Sequence, residues 1–275
     1  TISIIATGDA VVGGVAGASQ GAVSNVASSV IVTAGGSGHV NAGGIVGASQ
    51  GTVSNVYTTG AVSATTSGTD PDHVNAGGIV GTATGAVSNV YATGAISATS
   101  TANNNEVYAG GIAGTATASG AVSYAYATGA ITATGATGGG TNQNGNPFTV
   151  GAGGIAGAAT GTTVRYTVAL NSSVTAIGTS YNRCSFRITS TSGGEVTGGP
   201  NYGSTGLTPS VSGSGTSHTG DPGATEQGGV DVTVATGTPY TAPDQTWWTD
   251  MGFLGANWTT VWEWDGATTG LPKLR

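Results

Sequence analysis

The phrase Gly43-Gly44-Ile45-Val46-Gly47 recurs in five copies and decides the fold of this chain. The other copies are Gly13-Gly14-Val15-Ala16-Gly17, Gly77-Gly78-Ile79-Val80-Gly81, Gly110-Gly111-Ile112-Ala113-Gly114 and Gly153-Gly154-Ile155-Ala156-Gly157. Their first glycines lie 30, 34, 33 and 43 residues apart. Because a fixed period of about 20 to 50 residues is typical of solenoids and related arrays, the chain is predicted to be a repeat protein.

A second repeated stretch follows each phrase and predicts β-strands. Its clearest copies are GTVSNVYTTGAVSA at 51–64 and GAVSNVYATGAISA at 85–98. Val53, Asn55 and Tyr57 alternate with Ser54 and Val56, which is a period of two. We therefore expect three short strands per repeat, with corners at which glycine supplies a positive φ. Equivalent valines, such as Val53, Val87 and Val122, are predicted to stack in one inward column.

These patterns predict an all-β fold, a parallel β-solenoid of five to six coils over residues 10–205. A sixth, degenerate copy is indicated by Ile188, which lies 33 residues after Ile155, and by Asn201-Tyr202. Phe186 and Arg187 stand there in place of the paired glycines. Terminal coils of solenoids are often atypical because they cover an open end.

The phrases and their Val-Ser-Asn-Val continuation resemble the GLUG repeats of bacterial surface proteins. That signature is a Gly-hydrophobic-hydrophobic-Gly core followed by an Asn and an aromatic residue, and here Ile or Val replaces the family's usual Leu. The resemblance covers residues 10–180 and extends to the C-terminal segment. It implies a β-solenoid and an extracellular or cell-surface location.

The composition changes twice after the repeats. Residues 206–240 are rich in Ser, Thr, Gly and Pro and predict a loop or arm. All five tryptophans then fall within residues 241–275, which predict a hydrophobic cap that buries the last coil. Trp258, Trp262 and Trp264 are its expected core. The alternative is an exposed tryptophan platform for sugars.

Residues 1–10 predict an N-terminal strand with an open edge. Ile2 and Ile4 alternate with Ser3, and Ile5 follows directly. An uncovered strand edge is a template for another chain. We expect these three residues to dock on a neighbouring copy. A head-to-tail contact of this kind propagates into a filament when its rotation does not close.

Charge and cysteine content exclude several classes of partner. The chain has 12 acidic and 5 basic residues, a net charge of −7, and Lys273 as its sole lysine. Nucleic acid is not an expected partner, because phosphate contacts need clustered Lys and Arg. No membrane-spanning segment is predicted.

The chain begins without Met or a basic leader, which suggests a mature secreted product or a fragment. Cys184 is the single cysteine, and its flanks Arg183, Ser185 and Arg187 suggest an exposed or half-exposed strand. It is either a buried or bystander thiol or a contact between subunits.

Candidate chemical groups are sparse. His39, His73 and His218 are widely spaced and none belongs to a His-Glu-x-x-His motif. Asp70 and Asp72 flank a proline and fit a turn better than a calcium site, which takes six to eight oxygens. We expect no cofactor, no metal and no catalytic residues. The inserts at 70–74, 102–107 and 138–149 are expected to form a row of polar loops.

Three classes of function follow. The first is a non-catalytic extracellular structural protein, the subunit of a self-assembling fibre or an adhesin stalk, with itself as its main partner. The second is an adhesin module that binds a glycan or a host protein through the loop row or the tryptophans. The third is a β-helix polysaccharide-active enzyme, or an ice binder that uses threonines such as Thr58, Thr59 and Thr93.

Overall fold

The repeats build a parallel β-solenoid, as predicted, and each coil contains four strands. The computed structural model describes residues 1–68, 73–117, 120–138, 141, 147–179, 181–190, 201–204, 206–214, 217–219, 230–232, 245–250, 261–265 and 271–275. The strands and the helix are β1 (Ile2–Ile5), β2 (Ala10–Gly13), β3 (Ala16–Ser19), β4 (Val23–Ser28), β5 (Val32–Gly36), β6 (Val40–Gly43), β7 (Val46–Ser49), β8 (Val53–Thr58), β9 (Val62–Thr66), β10 (His73–Gly77), β11 (Val80–Ala83), β12 (Val87–Ala92), β13 (Ile96–Ser100), β14 (Glu106–Gly110), β15 (Ala113–Thr117), β16 (Val122–Ala127), β17 (Ile131–Thr134), β18 (Thr149–Gly153), β19 (Ala156–Thr160), β20 (Val164–Ala169), β21 (Val174–Ile177), β22 (Asn182–Phe186), β23 (Asn201–Ser204), β24 (Ser210–Ser212), β25 (Ser217–Thr219), β26 (Val230–Val232), α1 (Gln245–Asp250), β27 (Trp262–Asp265) and β28 (Leu271–Leu274).

Equivalent strands of successive coils pair in parallel and form four long sheets. Sheet 1 contains β1, β5, β9, β13, β17, β21 and β24; sheet 2 contains β2, β6, β10, β14, β18, β22 and β25; sheet 3 contains β3, β7, β11, β15 and β19; sheet 4 contains β4, β8, β12, β16, β20, β23 and β26. Within a coil the chain passes through sheets 2, 3, 4 and 1 in that order. The expected three strands per repeat were one too few, because the Gly-Gly corner separates two four-residue strands.

The core consists of aligned columns of small and β-branched side chains. Val53, Val87 and Val122 are directly paired and have no exposed surface, which confirms the predicted inward column. A column of isoleucines runs through the core: Ile45, Ile79, Ile112 and Ile155 follow the paired glycines, Ile188 follows Arg187, and all five are fully buried. Ile188 accepts hydrogen bonds from the backbone of Ile155 and Ala156, so the degenerate sixth copy continues the solenoid.

A left-handed residue interrupts the strand of sheet 4 in every complete coil. Asn25, Asn55, Asn89, Tyr124 and Tyr166 have φ between 52° and 57°. The extra residue resets the alternation of side chains, as in a β-bulge. Val53 and Val56 therefore both face inward although they are three residues apart, and Tyr57 lies on the outer face. The predicted alternation was wrong from Asn55 onward for this reason.

The corner glycines are needed for close approach and not for a positive φ, contrary to expectation. Among the described glycines, positive φ occurs only at Gly161 and Gly213. A Cβ on Gly81 would lie 2.8 Å from the backbone nitrogen of Ala42, because sheets 2 and 3 pass close to one another at this corner. The last glycine of each phrase therefore allows the two sheets to meet.

The segment at 206–240 was expected to be a loop or arm, but part of it extends the solenoid. β24, β25 and β26 add parallel strands to sheets 1, 2 and 4. The inserts between repeats all lie where sheet 1 passes to sheet 2, after β9, β13 and β17. The longest described helix, α1, has six residues.

Candidate functional site

All three residues assigned to the assembly contact lie on β1. Ile2 and Ile4 pair with Val32 and Ala34, which are fully buried, so they are on the core side of sheet 1. Ile2 is half-buried and Ile4 is 46% exposed. Ile5 is on the outer face and is 84% exposed. The three isoleucines therefore present apolar surface on both faces of the same strand.

At the end of the solenoid that contains β1, the described residues leave the first coil uncovered. β1, β2, β3 and β4 are each the outermost strand of their sheet, and no described strand pairs with their outer edges. Val15 is 51% exposed, whereas the isoleucines at the same position of later coils are fully buried. Val11 and Ile31 add exposed apolar surface at this end. The first coil thus combines free strand edges with an uncovered core.

The C-terminal tryptophans pack against the side of the solenoid. Trp262 and Trp248 are fully buried, Trp264 is half-buried, and Trp258 lies outside the described residues. We expected the tryptophans to bury the last coil, but the described ones lie on the outer face of sheet 4. Their contacts extend from Tyr202 in the sixth coil to Tyr57 in the second.

A ladder of tyrosines forms the surface that these tryptophans cover. Tyr57, Tyr91 and Tyr126 occupy equivalent positions of β8, β12 and β16, with ring centroids 4.7 and 4.9 Å apart. Trp262 contacts both Tyr91 and Tyr126, and the Tyr126 hydroxyl donates a hydrogen bond of 2.6 Å to the carbonyl of Pro272. Burial raises the pKa of the Tyr91 hydroxyl well above its usual range. The buried side chains of this segment therefore do not present a platform for sugars.

A groove of about 440 Å³ lies between the outer faces of sheets 2 and 3. It extends over the second to fifth coils, and its lining includes His39, Asn41, His73, Asn75, Thr82, Glu106, Tyr108, Thr115, Thr117, Ala158 and Thr160. The groove exists because these two sheets converge at the glycine corner. Side chains from different coils therefore face one another across it.

Hydrogen bonds within the groove hold its polar side chains in place. Asn41 Oδ1 accepts one bond from Asn75 Nδ2 at 2.8 Å and one from the Thr82 hydroxyl at 2.7 Å. Asn75 Oδ1 accepts a bond from the Thr115 hydroxyl. Asn75 is only 6% exposed, so its amide is fixed by its neighbours before any ligand arrives.

The end of the groove toward sheet 1 contains a cluster of titratable groups. His39 and His73 stack with ring centroids 5.3 Å apart, and His39 Nδ1 accepts a hydrogen bond from the His73 backbone. His73 Nδ1 lies 3.2 Å from Glu106 Oε2, which also accepts a bond from the Tyr108 hydroxyl. The hydrogen bond from His73 lowers the pKa of Glu106, and burial raises the pKa of Tyr108. Glu106 is therefore a carboxylate at neutral pH.

Cys184 and the residues beside it are buried, although the sequence suggested an exposed strand. Cys184 is a free thiol on β22, 7% exposed, and burial raises its pKa to about 11. Arg183 and Arg187 are 3% and 2% exposed. Arg187 donates to the carbonyls of Gly203 and Ser204, so hydrogen bonds to the following strand hold its buried guanidinium. A disulfide between subunits would require this buried thiol to become exposed.

Of the threonines considered for an ice-binding row, Thr58 is fully buried, whereas Thr59 is exposed and Thr93 is half-buried. Further aligned hydroxyls occur on the outer face of sheet 1. One column contains Thr33, Ser63, Ser97, Thr132 and Thr175, and the next contains Thr65, Thr99 and Thr134. All of these side chains are half-buried.

Other sequence candidates gain no further support. Asp70 and Asp72 lie outside the described residues. In the described part of the chain, no group of three or more His, Cys, Asp or Glu residues could hold a metal ion. Across the same residues, no helix has the length and apolar character needed to cross a membrane.

Comparisons with known proteins support the fold alone. No protein-family model matches the chain, and no curated protein matches it. A crystal structure of "a putative immunoglobulin A1 protease from Bacteroides ovatus" superimposes with a TM-score of 0.50 and 19% sequence identity. The alignment covers 94% of this chain and 74% of that protein. At this identity the likeness concerns the solenoid architecture. The resemblance to GLUG repeats stays a prediction.

Sequence reasoning missed the groove because its residues are far apart along the chain. His39 and His73 were described as widely spaced, yet they are 34 residues apart and pair across neighbouring coils. Asn41 and Asn75 have the same separation. The signal was the repeat period itself, since residues one period apart are neighbours in a solenoid.

Proposed function

We propose that this chain is a non-catalytic extracellular structural protein, a solenoid subunit that joins further copies of itself in a surface fibre or adhesin stalk. The open first coil is the observation that carries the proposal. The extracellular location rests on the GLUG resemblance and on the scarcity of lysine and cysteine.

The described strands of the first coil include none of the features that protect strand edges from pairing. Natural sheets blunt such edges with charged residues, proline or a covering element. Here the first 36 residues contain one charged side chain, Asp9, and no proline. Ile4, Ile5 and Val15 are instead exposed at the same end. Association with another strand edge would bury this apolar surface and satisfy the free backbone groups.

A second copy of the chain is the partner that fits this end. β24, β25 and β26 are the last described strands of sheets 1, 2 and 4, and they run parallel to all earlier strands of those sheets. A copy stacked in the same direction would continue these sheets with the strand spacing unchanged, about 4.8 Å. Contact between unlike ends is heterologous and produces a filament.

Removing residues 1–10 is expected to abolish assembly and leave the remaining coils folded. Ile5→Lys should weaken assembly as well, because it places a charge at the contact. Thr99→Lys is the matched control, since Thr99 is in the same outer column of sheet 1 but lies on β13, in the middle of that sheet and away from both ends. Light scattering with size exclusion and electron microscopy would measure assembly. Polymerisation of the truncated chain, or a monomeric intact chain at high concentration, would reject the proposal.

Ice binding is a second candidate, favoured by the hydroxyl columns of sheet 1. Threonine side chains are stiff at χ1, and equivalent groups repeat about every 4.8 Å along the solenoid. Such a rigid, uncharged array can hold water in ordered positions. Thermal hysteresis that is lost in Thr99→Lys and retained in Thr115→Lys would support this function, and its absence from the intact chain would reject it.

A further inference from the structure

We propose that the groove between sheets 2 and 3 binds a neutral, linear oligosaccharide. This inference is independent of the assembly proposal, because the groove lies on the flank of the second to fifth coils and does not include the first.

The groups in the groove match the chemistry of sugar hydroxyls. A hydroxyl both donates and accepts hydrogen bonds, so its binding site needs donors and acceptors side by side. Glu106 Oε2 is occupied by His73 and Tyr108, and Oε1 remains as a charged acceptor. Asn41 accepts two bonds through Oδ1, so its amide nitrogen remains as a donor. The hydroxyls of Thr82 and Thr115 can accept as well as donate.

The groove is already organised for binding. The bonds that join Asn41, Asn75, Thr82 and Thr115 fix these side chains in the absence of ligand. A site that is ordered beforehand loses little side-chain entropy when a ligand binds. Tyr108 is 8% exposed, and its ring lies against Gly151, where a Cβ would be 2.8 Å from the ring carbon Cδ1. Gly151 therefore permits the ring to lie across the neighbouring coil and shape the floor.

Charge and length identify the ligand class. The described lining of the groove contains one carboxylate, Glu106, and no lysine or arginine, so it disfavours phosphate, sulfate and uronate groups. The lining spans four coils, which is roughly 15 Å at the spacing of parallel strands. That length fits several sugar units in a row. A peptide fits less well, because every lining strand except β19 pairs on both edges within its sheet and cannot accept an added strand. β19 is the last strand of sheet 3.

The first experiment is native affinity electrophoresis of the whole chain in gels that contain galactomannan, xylan or mixed-linkage β-glucan, with polygalacturonate as the charged comparison. Retardation by at least one neutral polysaccharide and none by polygalacturonate is expected. Titration calorimetry with a hexasaccharide of the retarding polymer then gives the affinity. No retardation by any of the three neutral polymers, or retardation by polygalacturonate alone, would overturn the proposal.

Variants place the binding in the groove. Glu106→Gln should weaken binding about tenfold or more, since it replaces a charge-assisted hydrogen bond. Thr160→Trp should abolish binding by filling the groove from an exposed position, and it keeps the test decisive if Glu106→Gln does not fold. Thr134→Trp, on the outer face of sheet 1, is the matched control and should bind like the parent chain. Full binding by Thr160→Trp, or equal loss in Thr134→Trp, would show that the sugar binds elsewhere.

Discussion

At the scale of single residues, one backbone conformation explains the recurring Asn of the Val-Ser-Asn-Val stretch. Asn25, Asn55 and Asn89 are left-handed, with φ between 53° and 57°. Asparagine adopts this region more readily than other residues with a side chain. Tyr124 and Tyr166 stand at the same position in later coils, and their rings stack 5.0 Å apart. The stacking of these two rings offsets the cost of the left-handed conformation, which is less favourable for tyrosine than for asparagine.

Replacing Asn89 is expected to separate the effect of the backbone from that of the side chain. Asn89→Ala should lower the free energy of unfolding by about 1 to 2 kcal/mol, because alanine is disfavoured in the left-handed region. Asn89→Gly should be close to neutral, and the neighbouring Ser88→Ala is the control. Urea unfolding followed by circular dichroism would measure the three. If glycine were as harmful as alanine, contacts of the Asn side chain would be the cause instead.

At the scale of elements, the C-terminal segment is held by the tyrosine ladder of sheet 4. Stacked rings from three coils present one continuous apolar strip, which β27, β28 and α1 cover. A bulged strand is the reason these tyrosines face outward, so a feature of one residue creates the docking surface of a whole segment. Packing of the C-terminal segment therefore depends on the repeated bulge, which places a tyrosine at the same outer position in three successive coils.

Trp262→Ala is expected to reduce the free energy of unfolding of this segment by about 3 to 5 kcal/mol, as truncation of large buried aromatics does. Trp262 is fully buried against Tyr91 and Tyr126. Glu263→Ala is the control, because its ion pair with Lys273 is exposed and worth about 1 kcal/mol at most. Near-ultraviolet circular dichroism during thermal unfolding would report the loss. Parent-like stability of Trp262→Ala would mean that contact with the ladder contributes little.

At the scale of the whole molecule, the repeat period was the sequence feature that predicted most of the fold. The five Gly-Gly phrases predicted the parallel solenoid and the inward valine column, because a period of about 33 residues with strand patterning has few other solutions. The fourth strand was missed, since Val46 to Ser49 is short and contains no alternation that marks a strand. The groove and the tyrosine ladder are each built from side chains of several coils. The sequence of a single repeat therefore does not reveal them.

Stability in a solenoid is approximately a sum over coils and their interfaces, so removal of one coil in register should shorten the molecule without unfolding it. Val87 pairs with Val122. Deleting residues 88–122 therefore joins Val87 to Ser123 in place of its equivalent Ser88, and the shortened chain should retain its β-sheet circular dichroism and unfold cooperatively. Deleting residues 88–121 is the matched control. It leaves one extra residue within the strand and turns the following inward side chains to the outer face, because side chains alternate with a period of two. Loss of the fold is expected for that variant alone. Equal stability of the two deletions would show that the register of the valine column does not hold the coils together.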